Sequence, residues 1–237
     1  MPPAGPKRPY ADVALAQDAE GRHLVLLDGK PLRSPAGTVL SAPARALAEA
    51  VAAEWRAQPP RLDLSLAPLT RVLGTAHDRI PPNRAAVEAD LAAYAETELV
   101  CHRAAHPPEL LRRQSMVWQP LLDWFAGAYD APLTVTTGVL ATAQPPASLA
   151  AIARALSALD PFRLTGMSLA VGAAGSLVVG AALAARRIGP GEAFDAAELD
   201  AGFQIERWGE DAEAARRRAR LRDDLELADR WMRLVGD

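Results

Sequence analysis

Cysteine is almost absent from this chain, since Cys101 is the only one among its 237 residues. One cysteine excludes an internal disulfide and most cysteine-based metal sites, and it fits a reducing compartment. Residues Met1–Tyr10 lack the apolar run of a secretory signal, and they are too few for an organellar transit peptide. We therefore expect a cytoplasmic protein, and the length suits one or two domains.

The chain also lacks an excess of positive charge. Its net charge is −3 and its pI is about 5.9, whereas a protein that binds nucleic acid usually carries a basic face. Lys7 and Lys30 are the only lysines among 26 cationic residues, a bias typical of a GC-rich bacterial genome. We expect no nucleic-acid partner and a bacterial host.

Sequence motifs for phosphate binding and for nucleophilic catalysis are missing as well. The chain has no GxSxG elbow, no P-loop and no dinucleotide fingerprint. The Gly172–Gly175 segment is too short and too apolar to hold a phosphate. We therefore expect no nucleotide or other cofactor.

Four histidines and the single cysteine offer weak catalytic or metal-binding patterns. Cys101 and His102 are neighbours, so on a helix their side chains would point about 100° apart, and His77 and Asp78 have the same geometry. His102 and His106 are four residues apart and could bind a metal from one face of a helix, but Pro107 and Pro108 follow directly and are expected to end a helix there. We expect neither catalysis nor a metal; the enzyme alternative is a hydrolase that uses Cys101 or a His–carboxylate pair.

One long segment, Leu164–Ala185, contains no charged residue, and its 22 residues are enough to span a bilayer. Four of them are glycine and only eight are large apolar residues. Glycine and alanine permit close backbone packing but contribute little to partitioning into lipid. We expect a buried helix, intact or broken, at the centre of a helical domain, and no stable membrane insertion.

The first forty residues have the pattern of β-strands. Asp12–Ala16 and His23–Leu27 are short segments of strand-forming residues, and Asp28-Gly29 is a strong hairpin turn signal. A second turn at Ser34–Gly37 precedes Thr38–Leu40. These segments predict a small antiparallel sheet, which must pack on other elements to be stable.

Helical periodicity follows the sheet and continues to the end of the chain. Leu47, Val51 and Trp55 recur at four-residue spacing and predict a first helix. A second pattern runs from Leu69 to Ile80, and Pro81-Pro82 are expected to end it. We place a domain boundary there, so that residues 1–82 form an N-terminal α+β domain and residues 83–237 an all-helical domain.

Several later helices are expected in the second domain. A helix over Glu109–Ala128, kinked at Pro120, would bury one apolar stripe: Leu110, Val117, Leu121, Trp124 and Ala128. Pro132–Val139 is a short strand or an extended linker, and further helices are expected around Leu149–Leu159, Ala193–Trp208 and Glu210–Leu234.

The Trp208-Gly209 pair marks the end of one helical pattern and the start of the next. Glycine is the residue best suited to the left-handed turn that closes a helix. Glu210-Asp211 then place negative charge at the N-terminus of the following helix, where the helix dipole favours it. We therefore predict a structural role for Gly209.

Four blocks of sequence, in the same order, resemble the family of assembly factors that chaperone the α subunit of the F-type ATP synthase. The first is Leu27–Gly37, and the second combines Glu54-Trp55 with Pro68–Arg71 and Thr75–Arg79. The other two contain several separate matches: Tyr94, Glu98, Leu99, Cys101, Arg103, Arg113-Gln114, Trp118 and Pro120–Leu122 in the third, and Phe203-Gln204 with Trp208-Gly209 in the fourth. His102 departs from the family, which usually has an aromatic residue there.

The resemblance implies a binding protein that covers the newly made α subunit until the β subunit pairs with it. The family carries a functional acidic residue in the helix of the fourth block; Asp200 matches it best by spacing, and Glu206 is the rival. We expect a monomer whose release depends on the competing subunit rather than on a nucleotide. The alternative binding function is a general holdase for exposed apolar surfaces.

The candidate residues divide into a contact set and a structural set. The expected partner contacts are Asp200, Gln204, Glu206, Trp208, Arg113, Gln114 and Trp118, with Arg113, Gln114 and Trp118 placed equally well in a core. The expected structural residues are Trp55 in the core, Arg71 and Asp78 as a clamp on each other or on the next domain, and Gly29 and Gly209 in turns.

Overall fold

The N-terminal part of the chain forms a four-stranded antiparallel sheet. The structure, a computed structural model, describes residues 6–138 and 142–236. Strands β1 (Val13–Gln17) and β2 (His23–Leu27) pair along their whole length, and β2 also pairs with β3 (Lys30–Pro31) and β4 (Ser41–Ala42). Thr38–Leu40, expected as a strand, contributes only one bridge, between Val39 and Arg33.

The turn between β2 and β3 has the geometry that the sequence predicted. Asp28 and Gly29 both have positive φ, at 46° and 76°, as a tight two-residue hairpin turn requires. The Asp28 carboxylate accepts hydrogen bonds from the backbone N–H groups of Ala11 and Asp12. Gly29 therefore adopts the positive φ that a turn of this type needs.

Helix α1 (Arg45–Arg56) packs on this sheet, and α2 (Pro68–Asp78) packs on α1; a short 3-10 turn at Leu64–Leu66 lies between the two helices in the chain. The expected end of the second helix was wrong. Helix α2 ends at Asp78, and Pro81-Pro82 lie in the first turn of α3 (Ile80–Glu96). Proline is tolerated there because the first backbone N–H groups of a helix have no intrahelical acceptor.

The remaining elements are mostly helical. They are α4 (Pro108–Tyr129), α5 (Pro146–Ser157), α6 (Pro161–Ala174), α7 (Leu177–Ala184), α8 (Pro190–Ala197), α9 (Leu199–Trp208) and α10 (Ala212–Val235), with a small parallel pair of β5 (His102–Arg103) and β6 (Thr136–Thr137). The predicted α+β fold class is confirmed. The predicted segment Pro132–Val139 contains β6, while Val139 lies outside the described residues.

The chain forms two compact units that are not contiguous in sequence. The N-terminal unit comprises residues 6–83, 160–165 and 230–236, and the helical unit comprises residues 84–138, 142–159 and 166–229. Within the N-terminal unit the indole N–H of Trp231, near the end of the chain, donates to the carbonyl of Phe162 at 2.9 Å. The division into domains 1–82 and 83–237 stays a prediction.

The uncharged segment Leu164–Ala185, which we expected to be an intact or a broken helix, is a broken helix. Gly175, with φ of 62°, separates α6 from α7. Gly180 of α7 lies so close to α6 that a Cβ there would be 2.6 Å from Val171. Close packing of α7 against α6 therefore explains the glycine at position 180. No described helix is both long and apolar enough to cross a bilayer.

Two predictions about the later helices were wrong. The buried face of α4 contains Gln114, Trp118, Leu121, Leu122 and Phe125, while Val117 of the expected stripe is exposed. The segment expected as one helix around Ala193–Trp208 is two helices, α8 and α9, because the chain leaves helical geometry at Glu198.

Candidate partner-binding surface

Helices α4 and α9 pack against each other in the helical unit. Phe203 is the only residue of α9 that is fully buried. Arg113 of α4 and Arg207 of α9 stack on its ring, with the guanidinium carbons 5.1 Å and 3.7 Å from the centroid. Cation–π contacts therefore cover the ring with charged groups that remain in contact with solvent.

The same two arginines pair with two glutamates, and the four charged side chains form a network at the surface. Arg113 pairs with Glu206 at 2.8 Å and with Glu109 at 3.0 Å, and Arg207 pairs with Glu109 at 2.9 Å. The hydrogen bond to Glu206 is the main reason that the pKa of Arg113 is raised. Because these groups are exposed, the network orients the two helices more than it stabilises them.

Gln114 and Trp118 lie beneath this surface and are buried. The Trp118 indole N–H donates to the carbonyl of Ala196 at 2.9 Å, and the Gln114 side chain accepts from the N–H of Ala104 at 2.8 Å. Their burial leaves no surface for a partner, so of the two placements that the sequence allowed, the core is the one observed. We reassign both residues from the contact set to its support.

Asp200 is half-buried at the start of α9 and is connected to this support. Its carboxylate accepts from the Gln114 amide at 2.8 Å. Arg103 is buried, donates to the backbone carbonyl of Gln114 at 2.6 Å and stacks on Trp118. Burial lowers the pKa of Arg103, and the negative charge of Asp200 opposes that shift. Asp200 is therefore half-exposed at the surface and also interacts with the buried side chains of Gln114 and Arg103.

Three of the predicted contact residues share one side of α9: Asp200, Gln204 and Trp208, which we call the α9 stripe. Their four-residue spacing places them on one face. Gln204 is exposed, and Trp208 leaves 77% of its surface in solvent. A tryptophan that open is uncommon, because its large apolar ring is usually covered. Glu206 lies on the opposite side of the helix and pairs with Arg113.

Helix α9 ends at Gly209, whose φ of 83° and ψ of 171° belong to a region that only glycine adopts readily. The positive φ predicted for Gly209 is thus observed, with an extended rather than helical ψ. The Asp211 carboxylate then accepts from the N–H groups of Glu213 and Ala214 and caps α10. The sharp turn holds Trp208 at a helix end.

Comparisons with known proteins agree on one family. A sequence model described as ATP12 chaperone protein matches residues 7–126. The crystal structure of Atp12 from Paracoccus denitrificans superposes with a TM-score of 0.93 at 37% identity, over 97% of this chain and 98% of that one. This chain belongs to the ATP12 chaperone family.

Two further structures are similar to the same extent in sequence. A variant of the Paracoccus protein, with lysine in place of an aspartate, has a TM-score of 0.94 at 37% identity over 97% of this chain and 98% of that one. A protein from Agrobacterium tumefaciens has a TM-score of 0.88 at 37% identity, over 97% of this chain and 85% of that chain. The resemblance drawn from the four sequence blocks is confirmed.

Of the residues predicted to be structural in this ATP12 family member, all except Gly209 lie in the N-terminal unit. Trp55 is buried, and its indole N–H donates to the Thr70 hydroxyl at 3.0 Å. Within the described chain, Arg71 and Asp78 form no ion pair with each other, so the expected clamp between them is not observed. Both side chains line a cleft on the surface of this unit.

Two buried glutamates are missing from the sequence-based candidates. Glu54 accepts from the N–H groups of Leu69 and Thr70 at the start of α2. Glu98 accepts from Leu177 and Val178 at the start of α7. The donors at the helix starts lie 15 and 16 residues from Glu54 and 79 and 80 residues from Glu98, so no local pattern indicates these contacts. Glu54-Trp55 and Glu98 stood out only through the family resemblance.

The groups proposed for the hydrolase alternative are held in structural roles. The Cys101 thiol is buried, and burial together with the charge of Glu98 raises its pKa to about 12, whereas a catalytic thiol needs a lowered pKa. The His77 ring bonds the backbone of Ser41 and packs edge-on against Phe162. Among residues 6–138 and 142–236, no group of three or more potential ligands is placed to hold a metal ion.

Proposed function

We propose that this protein binds the unassembled α subunit of the F-type ATP synthase and prevents its aggregation until the β subunit pairs with it. Membership of the ATP12 chaperone family supports a role in assembly of that enzyme. The protein would act in the bacterial cytoplasm and would lower the free concentration of an aggregation-prone subunit by mass action.

The α9 stripe is the observation that carries the assignment of the contact surface. Trp208 offers a large exposed apolar ring, and tryptophan is among the residues that most often dominate a protein interface. Asp200 adds a carboxylate on the same face, held in place by Gln114. A surface of this kind binds an apolar patch of the client that has a positive group beside it.

Trp208→Ala tests the apolar part of the stripe. No described hydrogen bond involves the Trp208 side chain, and most of its surface is in solvent, so thermal stability should change by no more than about 0.5 kcal/mol. Capture of the purified α subunit should weaken at least tenfold, equivalent to about 1.4 kcal/mol of binding energy. Val135→Ala, at another exposed apolar side chain, is the matched control and should leave capture unchanged.

Asp200→Asn tests the charge without disturbing the support, because an asparagine oxygen still accepts from Gln114. Lysine is a poorer choice at this position, since it would add a second cation near the buried Arg103. We expect weaker α-subunit capture with an unchanged melting temperature, and normal capture by Asp195→Asn, at an exposed aspartate.

Light scattering of the α subunit during refolding measures the chaperone activity itself. The wild-type protein should suppress scattering of the α subunit but not of the β subunit. Equal suppression for both subunits would favour a general holdase. Normal capture by both Trp208→Ala and Asp200→Asn would exclude the α9 stripe and direct attention to Glu206 on the opposite face.

A further inference from the structure

The N-terminal unit has a cleft of about 550 Å³, lined entirely by its own residues. One wall is a face of α2 on which Ala67, Thr70 and Gly74 recur at three- to four-residue spacing. Their short side chains leave the helix backbone accessible. The turn at Ser34–Ala36 and the side chain of Leu64 line the rest of the opening. The volume lies in the range of clefts that bind ligands.

The base of the cleft is apolar. Leu40, Trp55 and Ala67 line it and are themselves buried in the N-terminal unit. Leu64, by contrast, leaves 54% of its surface in solvent. An exposed leucine beside an apolar base indicates a surface that gains from being covered.

The rim of the cleft is positively charged. Arg71 and Arg79 are exposed, and neither guanidinium forms an ion pair with a described residue. A third arginine, Arg33, donates to the carbonyl of Gly37. Asp78 is the only carboxylate among the lining residues. Guanidinium groups that are free of internal partners are suited to bind carboxylates.

Asp78 supplies an unused hydrogen-bond acceptor. Its Oδ1 atom is buried and has no hydrogen-bond partner among the described residues. The hydroxyls of Ser34 and Thr38 lower the pKa of this carboxyl group, so it is ionised at neutral pH. A buried acceptor without a donor is unfavourable, and a backbone N–H from a bound chain would satisfy it.

We propose that this cleft binds an extended peptide segment in which acidic and apolar residues alternate. The face of α2 from Ala67 to Arg79 is about 18 Å long at 1.5 Å per residue, which matches five or six residues of extended chain. Alternate side chains of such a segment point to opposite sides. Its carboxylates would reach Arg71 and Arg79 while its apolar side chains enter the base of the cleft.

This second site is independent of the α9 stripe and of the identity of the client subunit. It gives the protein a way to hold a stretch of unpaired, extended polypeptide, with the arginines selecting its charge. Recognition by an apolar base and a charged rim requires both features in the ligand. A peptide that has only one of them should bind weakly.

Fluorescence anisotropy with labelled hexapeptides tests the specificity. The probe is a fluorescein-labelled hexapeptide of alternating glutamate and leucine, compared with a lysine–leucine and a glutamate–serine hexapeptide. The full-length protein should bind the glutamate–leucine peptide at least tenfold more tightly than either comparator. Absence of binding, or equal binding of all three peptides, would overturn the proposal.

Gly74→Leu tests the location. A Cβ placed on Gly74 meets no neighbouring heavy atom within 4 Å, and Gly74 lines the cleft, so a leucine side chain there should occupy part of its volume. Replacing a helical glycine also favours the helix, so the fold should be retained. Gly127→Leu in α4 is the matched control, because a Cβ on Gly127 is equally uncrowded.

Gly74→Leu should weaken binding of the glutamate–leucine peptide at least tenfold, and Gly127→Leu should not. Arg71→Glu and Arg79→Glu should also weaken it, whereas Arg22→Glu, an exposed charge reversal in the connection between β1 and β2, should not. Unchanged binding by Gly74→Leu contradicts the proposed location. A concentration-dependent dimer that Gly74→Leu abolishes would show that a second copy occupies the cleft, and it would overturn the peptide assignment.

Discussion

Two buried glutamates perform the same task in the two units, over very different distances along the chain. Glu54, near the end of α1, accepts hydrogen bonds at the start of α2, only 15 residues away. Glu98 accepts at the start of α7, 79 residues away. In both cases the carboxylate satisfies backbone N–H groups that lack intrahelical acceptors and lies at the positive end of the helix dipole.

The two sites differ in depth. Glu54 is 8% exposed, and the Thr70 hydroxyl is a further donor to it. Glu98 is fully buried, and burial raises its pKa although four groups donate to its carboxylate. A deeper carboxylate is more costly to ionise, and its removal leaves more donors without a partner. We therefore expect the helical unit to depend on its glutamate more than the N-terminal unit does.

The largest expected effect is that of Glu98→Ala. This change leaves the N–H groups of Leu177, Val178 and Val100 and the hydroxyl of Ser176 without their acceptor. Each unsatisfied buried donor costs about 1–3 kcal/mol, so we expect a loss of at least about 3 kcal/mol in the free energy of unfolding. Urea unfolding followed by circular dichroism measures it, and a loss below about 1 kcal/mol would contradict this account.

Glu54→Ala should have a smaller effect, about 1–2 kcal/mol, the usual range for loss of a helix cap. Fewer donors lose their acceptor, and the site retains some access to water. Glu49→Ala, in the same helix but exposed and paired with Arg45, is the control and should change stability by no more than about 0.5 kcal/mol. Equal losses for Glu54→Ala and Glu98→Ala would remove the distinction that we draw between the two sites.

A third helix start extends the comparison to a capping residue that lies directly before its own helix in the sequence. Asp211 caps α10 from just before the helix, and Gly209 makes the turn that presents it. Gly209→Val should lower the free energy of unfolding by about 1 kcal/mol, because a β-branched residue is strained at this φ. Gly209→Asn should lose about as much, because asparagine tolerates positive φ only in the left-handed helical region and not at a ψ of 171°. An unchanged melting temperature for the valine variant would show that the turn relaxes without strain.

The smallest expected effect is a change in the pH dependence of stability. Because burial raises the pKa of Glu98, the folded protein holds this proton more tightly than the unfolded chain does. The stability contributed by Glu98 is therefore fully present below the unfolded pKa of about 4.3, and it is lost as pH rises through the higher folded pKa. Glu98→Gln removes this dependence.

Urea midpoints of the wild-type protein and of Glu98→Gln, measured from pH 4.5 to 8, test the sign. The difference between the two proteins should shift in favour of the wild type as the pH falls. Parallel profiles would show that Glu98 has the same pKa in both states. A shift in the opposite direction would show that the hydrogen bonds to the ionised form outweigh burial.

Local patterns predicted much of the fold because they depend on near neighbours. Asp28-Gly29 predicted its hairpin turn, and the four-residue spacing of Leu47, Val51 and Trp55 predicted α1. The buried face predicted for α4 was wrong because the helix carries apolar side chains on more than one side. Val117 and Trp118 are adjacent and equally apolar, and only packing shows that Trp118 is the buried one.

The sequence by itself determined the fold class and the family. It also indicated which residues form the α9 stripe, because residues four apart on one helix share a face. Only the tertiary structure decided that Gln114 and Trp118 support this surface from inside, and that Arg71 and Asp78 line a cleft. The same holds for the hydrogen bonds that Glu98 accepts from Ser176, Leu177 and Val178, which lie 78 to 80 residues away. Hydrogen bonds over such separations leave no periodic pattern, since the chain between the partners can have any composition that folds.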